Sequence, residues 1–257
     1  EMSASLVGSE MCIRDSTYGA KKTKFARCLT NYYESNADQL NQELKETELP
    51  RELHFIAFAG TQARIGTTTQ ALQYAGYLAD CGEKVCYVEE NEDGFPYCLF
   101  ELYQYAVKEG DCITYAGIPM YEKKSMQELL KMDYEYFILD MGSIDQEKFA
   151  GQLFFDERVQ RVIVAGVKPQ EWVCTKYVRS TALCKDAAYI ISFASDADVE
   201  AVSGAFSKMP LFAGYIPDMF ARDQGDLALG YNKLFSEKKT YRKEKTKKNK
   251  NRGRRSL

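Results

Sequence analysis

A strand, a short loop between two glycines, and a helix follow one another near residue 60, and this succession constrains the fold more than any other feature of the chain. The apolar run Phe55–Ala59 is typical of a strand buried on both faces. The loop Gly60–Gly66 follows directly, and small and aliphatic residues then recur at helical spacing over Thr67–Cys81 until Gly82. A strand joined to a helix in this way predicts a unit of a parallel sheet.

The same alternation continues to about residue 235. Strand candidates are Leu53–Ala59, Lys84–Glu89, Tyr136–Asp140, Arg161–Val167, Ala188–Phe193 and Leu211–Ile216. Helix candidates between them are Thr67–Cys81, Ser125–Met132, Glu171–Lys185 and Asp196–Lys208. Repeated β–α units predict an α/β fold with a mainly parallel β-sheet flanked by helices on both faces.

Composition divides the chain into four segments. Residues Glu1–Ser16 resemble translated sequencing-adapter sequence, and they lack the basic start and apolar stretch of a secretory signal. Residues 17–51 are polar, with Tyr and Leu at loose helical spacing, and predict an N-terminal helical or linker segment. Residues 52–236 are the predicted α/β domain. Residues 237–257 are too polar and charged to form a core and predict a disordered basic tail.

The net charge of −3 combines an acidic body with a basic end, since Lys238–Leu257 holds eleven Lys/Arg and one Glu, about +10. Three interpretations stay open for Lys238–Arg255: a solvated end, binding to an anionic membrane surface, or binding to nucleic acid phosphates. Eight cysteines without a CxxC and a single histidine argue against a disulfide framework or zinc site. They favour a reducing cytosol, so we expect a cytoplasmic protein, peripheral at most to a membrane or cell pole.

The loop Gly60–Thr69 stands where a phosphate-binding loop belongs, but it lacks the lysine that such a loop needs. In the pattern G-x-x-x-x-G-K-[ST], the lysine reaches the β- and γ-phosphates and the hydroxyl holds Mg²⁺. Here Thr67 follows Gly66 in the lysine position, and Thr68 has the metal-hydroxyl position. Asp140 ends an apolar run, where a carboxylate could hold a metal-bound water. The alternative is an ordinary β–α turn whose threonines cap the helix, with Asp140 capping the segment that follows it.

The loop resembles that of the MinD/ParA group of deviant-Walker ATPases, including the TadZ/CpaE-type localisation proteins. The group's loop reads approximately K-G-G-x-G-K-T-T. Aligned on Gly66, this chain has Gln62 for the extra signature lysine, Ala63-Arg64 for the paired glycines, and Thr67 for the loop lysine. The resemblance therefore implies a degenerate Walker A loop in which both lysines are replaced.

Four further segments resemble the same group in the same order. "GEKVCYVEENEDG" matches the second strand, with Glu89-Glu90-Asn91 replacing an Asp-x-Asp, and "MDYEYFILDMGS" matches the Walker B strand that ends at Asp140. "RVIVAGVKPQEW" fits the next strand and loop. "LFAGYIPD" matches the segment in which Pro217 flanks the base. Ser192 or Phe193 stands where the group has an adenine-reading asparagine.

The resemblance implies a P-loop NTPase-like fold and a set of candidate site residues. The cofactor-binding candidates are Gly60, Arg64, Gly66, Thr67, Thr68, Thr69 and Pro217, and the metal candidates are Thr68 and Asp140. No catalytic residue is assigned. Each lost lysine–phosphate contact removes about 1.5–3 kcal/mol, so ATP or ADP with Mg²⁺ is expected to bind weakly, and a chain without nucleotide is equally open.

The resulting hypothesis is a pseudo-ATPase that acts as a localisation or scaffold factor through protein partners, a second copy of the chain among them. The alternative is an ATP-dependent partitioning or positioning ATPase that binds DNA or membrane through its basic tail. A third interpretation, a tyrosine-kinase relative of the same fold, is less favoured, because the tail offers Tyr241 alone where such proteins have a tyrosine cluster.

Overall fold

A computed structural model describes residues 52–222, 225 and 227–235 of the chain. The predictions for Glu1–Ser16, residues 17–51 and the basic tail lie outside the described residues. Across the part of the chain that is described, no helix has both the length and the apolar character needed to cross a membrane.

The strands, in chain order, are β1 His54–Gly60, β2 Val85–Glu89, β3 Val107–Glu109, β4 Cys112–Tyr115, β5 Ile118–Tyr121, β6 Tyr136–Ser143, β7 Val159–Ala165, β8 Ala188–Ser192 and β9 Leu211–Ala213. The α-helices are α1 Thr67–Asp80, α2 Phe95–Leu102, α3 Met126–Lys131, α4 Gly151–Phe154, α5 Pro169–Ser180, α6 Asp196–Val202 and α7 over residues 227–235. Two short 3₁₀ turns, Ala182–Cys184 and Ser203–Ala205, follow α5 and α6.

Within the described residues the strands form one sheet in the order β3-β4-β5-β2-β6-β1-β7-β8-β9. Every pairing from β5 to β9 is parallel, whereas β4 runs antiparallel to both β3 and β5. Parallel neighbours require crossover connections, and helices supply most of them here. The predicted α/β fold with a mainly parallel sheet is confirmed.

Helices cover both faces of this sheet, and alternate residues of each central strand face opposite layers. In β1, Phe55, Ala57 and Ala59 pack with residues of α3 to α6 in one buried cluster. Ile56 and Phe58 pack with residues of α1, α2 and α7 in the other. The continuous apolar runs in the sequence arise because the strands are buried on both sides.

The predicted elements lie where expected, but several end earlier. The strand predicted over Leu211–Ile216 ends at Ala213, and the helix predicted over Asp196–Lys208 ends at Val202. The helix predicted over Glu171–Lys185 begins at Pro169 and ends at Ser180, and a 3₁₀ turn follows. Proline suits a first helical position because it has no N–H to leave unpaired, so the helix starts at that proline.

Helix α2 and the β3–β4–β5 meander are absent from the sequence prediction. Gly110 and Gly117 make the two tight turns between these strands, with φ of +62° and +74°. These strands have only three or four residues each, too few for a recognisable period. The meander widens the sheet on the β2 side, away from the phosphate loop.

Candidate functional site

The loop after β1 lies at the carboxyl end of the sheet, between two neighbouring strands. At its start, Gly60 is in register with Ser143 of β6 and Val164 of β7. The backbone N–H of Thr61 donates to the Val164 carbonyl at 2.9 Å, and that of Ile144 donates to the Gly60 carbonyl at 2.8 Å. These bonds fix the start of the loop in the middle of the sheet edge, where ligands of open α/β sheets bind.

The side chain of Thr67 points back toward the start of the loop, at Gly60. It is buried, and its Oγ1 lies 2.4 Å from the place where a Cβ on Gly60 would stand. Any side chain at residue 60 would therefore collide with Thr67. A lysine at residue 67 would extend a cation along the loop. The shorter threonine side chain ends at Gly60, where the loop begins.

Gly66 makes the turn from the loop into α1. Its φ of +92° belongs to the left-handed region, and it caps α1 without any side-chain hydrogen bond. The alternative in which threonines cap this helix is therefore wrong: Thr67 already lies inside its first turn. The helix begins with backbone N–H groups that no capping side chain satisfies, which favours anions at this end.

An aromatic ring covers the same glycine. The Cζ of Phe193 lies 3.1 Å, and the Oγ of Ser192 3.3 Å, from where a Cβ on Gly66 would stand. Phe193 itself has a φ of +56°, which is strained for a bulky residue. At the strand end where the resembled group has an adenine-reading asparagine, this chain places a ring against the loop.

Thr68 and Asp140, the two metal candidates, are brought together. The hydroxyl of Thr68 donates to Oδ2 of Asp140 at 2.6 Å. Tyr87 of β2 donates to the same oxygen at 2.7 Å, and the backbone N–H of Gly142 donates to Oδ1 at 3.0 Å. Two donors thus take both lone pairs of Oδ2, the oxygen that faces the loop.

Asp140 is completely buried, and burial raises its pKa above the ordinary range. The hydrogen bonds from Thr68, Gly142 and Tyr87 oppose that rise, because they favour the charged carboxylate. Burial also raises the pKa of Tyr87, and the neighbouring negative charge of Asp140 adds to it. The tyrosine therefore keeps its proton and remains a donor to the carboxylate.

Glu89 and Glu90 are buried rather than solvated. Glu89, in register with Asp140, accepts the N–H of Phe95 at 2.9 and 3.1 Å and so caps α2. Burial raises its pKa to about 7, although this hydrogen bond lowers it. Burial likewise raises the pKa of Glu90 to about 7, and its Oε1 accepts no hydrogen bond from the described residues.

The other candidate residues are exposed or only half-buried. Arg64 is exposed with a φ of +61°, Thr69 is half-buried in the first turn of α1, and Pro217 is exposed after β9. Gln62 is half-buried, and its Oε1 has no hydrogen-bond partner among residues 52–222, 225 and 227–235. Their roles toward a ligand remain predictions.

The loop after β7 lies beside the phosphate loop and contains a lysine. Gly166 in this loop approaches Ile65 so closely that a Cβ at residue 166 would stand 2.6 Å from Ile65 Cδ1. Lys168 follows two residues later, and its ammonium is ion-paired with Asp198 at the start of α6. This cation is therefore held by a carboxylate at the neighbouring strand end.

The role of Tyr87 was not predicted from the sequence. The signal was its spacing: residues two apart on a strand share a face, so Tyr87 and Glu89 point the same way. Burial of a tyrosine requires a partner for its hydroxyl, and Asp140 of the adjacent strand is that partner. Lys168 was quoted only as part of a matching strand.

A metal would find few ligands here. In the described part of the chain, no group of three or more His, Cys, Asp or Glu side chains is arranged to hold a metal ion. Thr68 and Asp140 have the chemistry of a Mg²⁺ site, because both offer oxygen atoms as metal ligands. The phosphate loop has no lysine for the β- and γ-phosphates, so the residues do not fit a tightly bound nucleoside triphosphate.

Comparison with protein-family models and with curated proteins gives no match. Among solved structures, the chain is similar to a Borrelia burgdorferi B31 protein described as a plasmid partition protein and bound to AMPPNP, at 11% identity and a TM-score of 0.49, over 72% of this chain and 98% of that one. It is also similar to an Aquifex aeolicus MinC:MinD cell division complex, at 13% identity and a TM-score of 0.43, over 64% of this chain and 82% of that one. A third similar structure is the signal recognition particle receptor FtsY of Elizabethkingia anophelis in complex with GDP, at 13% identity and a TM-score of 0.47, over 74% of this chain and 65% of that one. Because these identities and TM-scores are low, we assign the α/β, P-loop-like architecture from the strand order and the loop of this chain. The similar structures give no information about ligands of this chain.

Proposed function

We propose that this chain is a MinD/ParA-like P-loop protein that has lost ATPase function and acts as a localisation or scaffold factor through protein partners. The observation that carries the proposal is the position of Thr67: its hydroxyl lies buried against Gly60, where the family resemblance implies a phosphate-binding lysine. Phosphoryl transfer depends almost entirely on positioning and charge stabilisation. A loop without its lysines therefore lacks the main source of catalysis.

The charges around the loop support the same conclusion. Three buried carboxylates, Asp140, Glu89 and Glu90, lie at this edge of the sheet. The nearby Lys168 is neutralised by Asp198, and Arg64 is exposed in a backbone conformation that is unusual for arginine. Arginine also differs from lysine in shape and hydration and does not replace it at a phosphate. A triphosphate would meet net negative charge unless Mg²⁺ came with it.

Tyr87 supports the loss of metal-dependent chemistry. Its hydroxyl and that of Thr68 both donate to Oδ2 of Asp140, so both lone pairs of this oxygen are taken by donors of the chain itself. The hydrogen bonds tie the start of α1 to β6 and β2. The loop is thereby held in shape by the chain itself, which suits a structural role.

The alternative function, an ATP-dependent ATPase in partitioning or positioning, is favoured by one observation. The Thr68 hydroxyl lies beside Oδ2 of Asp140, at 2.6 Å, so two oxygens of the kind that Mg²⁺ prefers as ligands meet at the start of α1. In this alternative, the missing phosphate contact would come from another cation, and the basic tail would bind DNA or membrane. Localisation at a cell pole or membrane surface is proposed for either function.

ATP hydrolysis by the full chain, with a site-inactivated control, tests the proposal. We expect wild type and Asp140→Asn to release phosphate from Mg·ATP at the same background rate. A second control, Asp145→Asn, changes a nearby carboxylate that accepts a hydrogen bond from Ser143 and does not contact Thr68. Turnover in wild type that Asp140→Asn abolishes and Asp145→Asn preserves would establish an ATPase and refute the scaffold proposal.

A further inference from the structure

Two neighbouring residues at the end of β8 converge on the glycine that precedes α1. Two ring carbons of Phe193, Cζ and Cε2, lie 3.1 and 3.3 Å from where a Cβ on Gly66 would stand. The Oγ of Ser192 lies 3.3 Å from the same point. Gly66 is the N-cap of α1, a helix of 14 residues. The end of β8 therefore places an apolar ring and a hydroxyl against the turn between the phosphate loop and its helix.

The ring leaves polar groups beside it unsatisfied. Helix α1 begins with N–H groups that no capping side chain satisfies, and such groups attract anions. A phenyl ring has no charge and no oxygen or nitrogen acceptor to offer them. Ser192 is only 3% exposed, and its Oγ has no hydrogen-bond partner among the residues that the structure describes. Because buried hydroxyls are nearly always paired, the arrangement with the ring on Gly66 is costly to both residues.

The backbone at Phe193 is strained in the same arrangement. Its φ of +56° lies in the left-handed region, which a bulky residue rarely adopts. The N–H of Ala194 donates to the Ala213 carbonyl of β9 at 3.2 Å, so the turn after β8 is held by the neighbouring strand. Backbone strain that the surrounding structure holds in place is typical of ligand clamps and switch segments.

The ring lies where it has room to turn outward. Phe193 is half-buried, and its ring centroid is 5.8 Å from that of Tyr215. Tyr215 follows β9 and is 74% exposed, so the two rings meet at the surface of the protein. A side chain at the surface changes rotamer quickly. Phe193 can therefore leave Gly66 without opening either hydrophobic cluster.

We propose that Phe193 is an autoinhibitory contact: its ring closes the phosphate loop from the β8 side and must turn outward before an anion reaches the start of α1. Closing buries the ring on Gly66. Opening relieves the strain at residue 193 and frees Ser192 to form a hydrogen bond. The two states are thus favoured by opposing contributions, as a two-state element requires. This inference rests on the proposed function, in which wild type holds no nucleotide tightly, and adds a barrier separate from the missing lysines.

Hydrogen exchange of the full chain, measured by mass spectrometry on peptides covering residues 60–70, tests the inference. Phe193→Gly removes the ring, and glycine adopts a positive φ readily, so the variant should fold. We expect its loop peptide to exchange at least about tenfold faster than that of wild type, because the loop loses its cover. Phe206→Gly is the matched control, because Phe206 is also half-buried but contacts the rings of Trp172 and Tyr189. The loop peptide of this control should exchange like that of wild type.

Equal exchange of the loop peptide in wild type and Phe193→Gly would overturn the inference. Equal acceleration in Phe206→Gly would overturn it too, because the loss of any ring would then account for the result.

Calorimetry with Mg·ADP adds a measurement of access. Thr67→Lys combined with Phe193→Gly should bind at least about tenfold more tightly than Thr67→Lys alone, because the closed state no longer competes. Equal affinities would contradict the inference. Exchange decides it even if Thr67→Lys does not bind. ATP hydrolysis by wild type that depends on Asp140 would refute the proposed function and leave the exchange result standing, so the two failures are distinguishable.

Discussion

Glu90→Gln is predicted to stabilise the protein at alkaline pH and to flatten the pH dependence of its stability. Glu90 is buried at the end of β2, and its Oε1 has no partner among the described residues. Burial raises its pKa from 4.5 to about 7, although the backbone N–H of Lys124 and the charge of Lys123 lower it. The ionised carboxylate is therefore a cost that the folded state bears above neutral pH.

The size of the effect follows from the shift. Because the folded protein holds this proton up to about pH 7 and the unfolded chain releases it near pH 4.5, stability falls as pH rises between these values. At about 1.36 kcal/mol per pH unit, Glu90 alone accounts for a loss of roughly 3 kcal/mol by pH 8. Glutamine has no charge to bury, but its amide needs partners at a cost of about 1 kcal/mol. The net gain at pH 8 is about 2 kcal/mol.

Urea unfolding at pH 5 and pH 8 measures this difference. The free energy of unfolding of wild type should fall more between the two pH values than that of Glu90→Gln. Glu157→Gln changes an exposed carboxylate and should reproduce the wild-type difference. If Glu90→Gln and wild type lose the same free energy between pH 5 and pH 8, the burial of an ionisable Glu90 is refuted.

Two further predictions concern the loop and its supports. Tyr87→Phe should lower the free energy of unfolding by about 1.5–3 kcal/mol, because it removes a buried hydrogen bond to Asp140; a change below about 0.5 kcal/mol in urea unfolding at pH 7 would contradict it. Gly66→Ala should destabilise the protein more than Gly82→Ala in the same assay. Both glycines have a positive φ, +92° at residue 66 and +80° at residue 82, which costs an alanine about 1–2 kcal/mol. Only residue 66 adds a tight contact, at 3.1 Å from Phe193 Cζ, since residue 82 has open space. Equal losses would show that the ring does not press on the loop.

The central fold was predictable because its signals are strong and local. Strands buried on both faces give continuous apolar runs in the sequence, as in Phe55–Ala59 and Tyr136–Leu139. The helix after the phosphate loop is amphipathic and is followed by Gly82. The meander β3–β4–β5 was not predictable, because each strand has only three or four residues. About half of the residues of the meander, with its turns, are exposed to water, so no apolar run marks it in the sequence. Its Gly110 and Gly117 turns mark it only once the fold is known.

The site was predictable in position but not in detail. The meeting of Thr68 with Asp140 follows from the topology, because a loop after β1 faces the end of the adjacent β6. The face of Tyr87 could be inferred from its spacing to Glu89, but its partner Asp140 could not, because that contact depends on the register of β2 against β6. The burial of Glu89 and Glu90 could not be predicted from the sequence, because charged residues at strand ends are usually solvated and tertiary packing overrides that tendency here.

Calorimetric titration of Mg·ATP and Mg·ADP into the full chain, beside a Thr67→Lys variant, tests the central claim most directly. Wild type should give no measurable binding heat, and Thr67→Lys should bind, because one lysine–phosphate contact restores about 1.5–3 kcal/mol. Thr67→Met, similar in length but uncharged, should behave like wild type. Micromolar binding of ATP by wild type would contradict the account, because the loop would then hold a triphosphate without either of its two lysines.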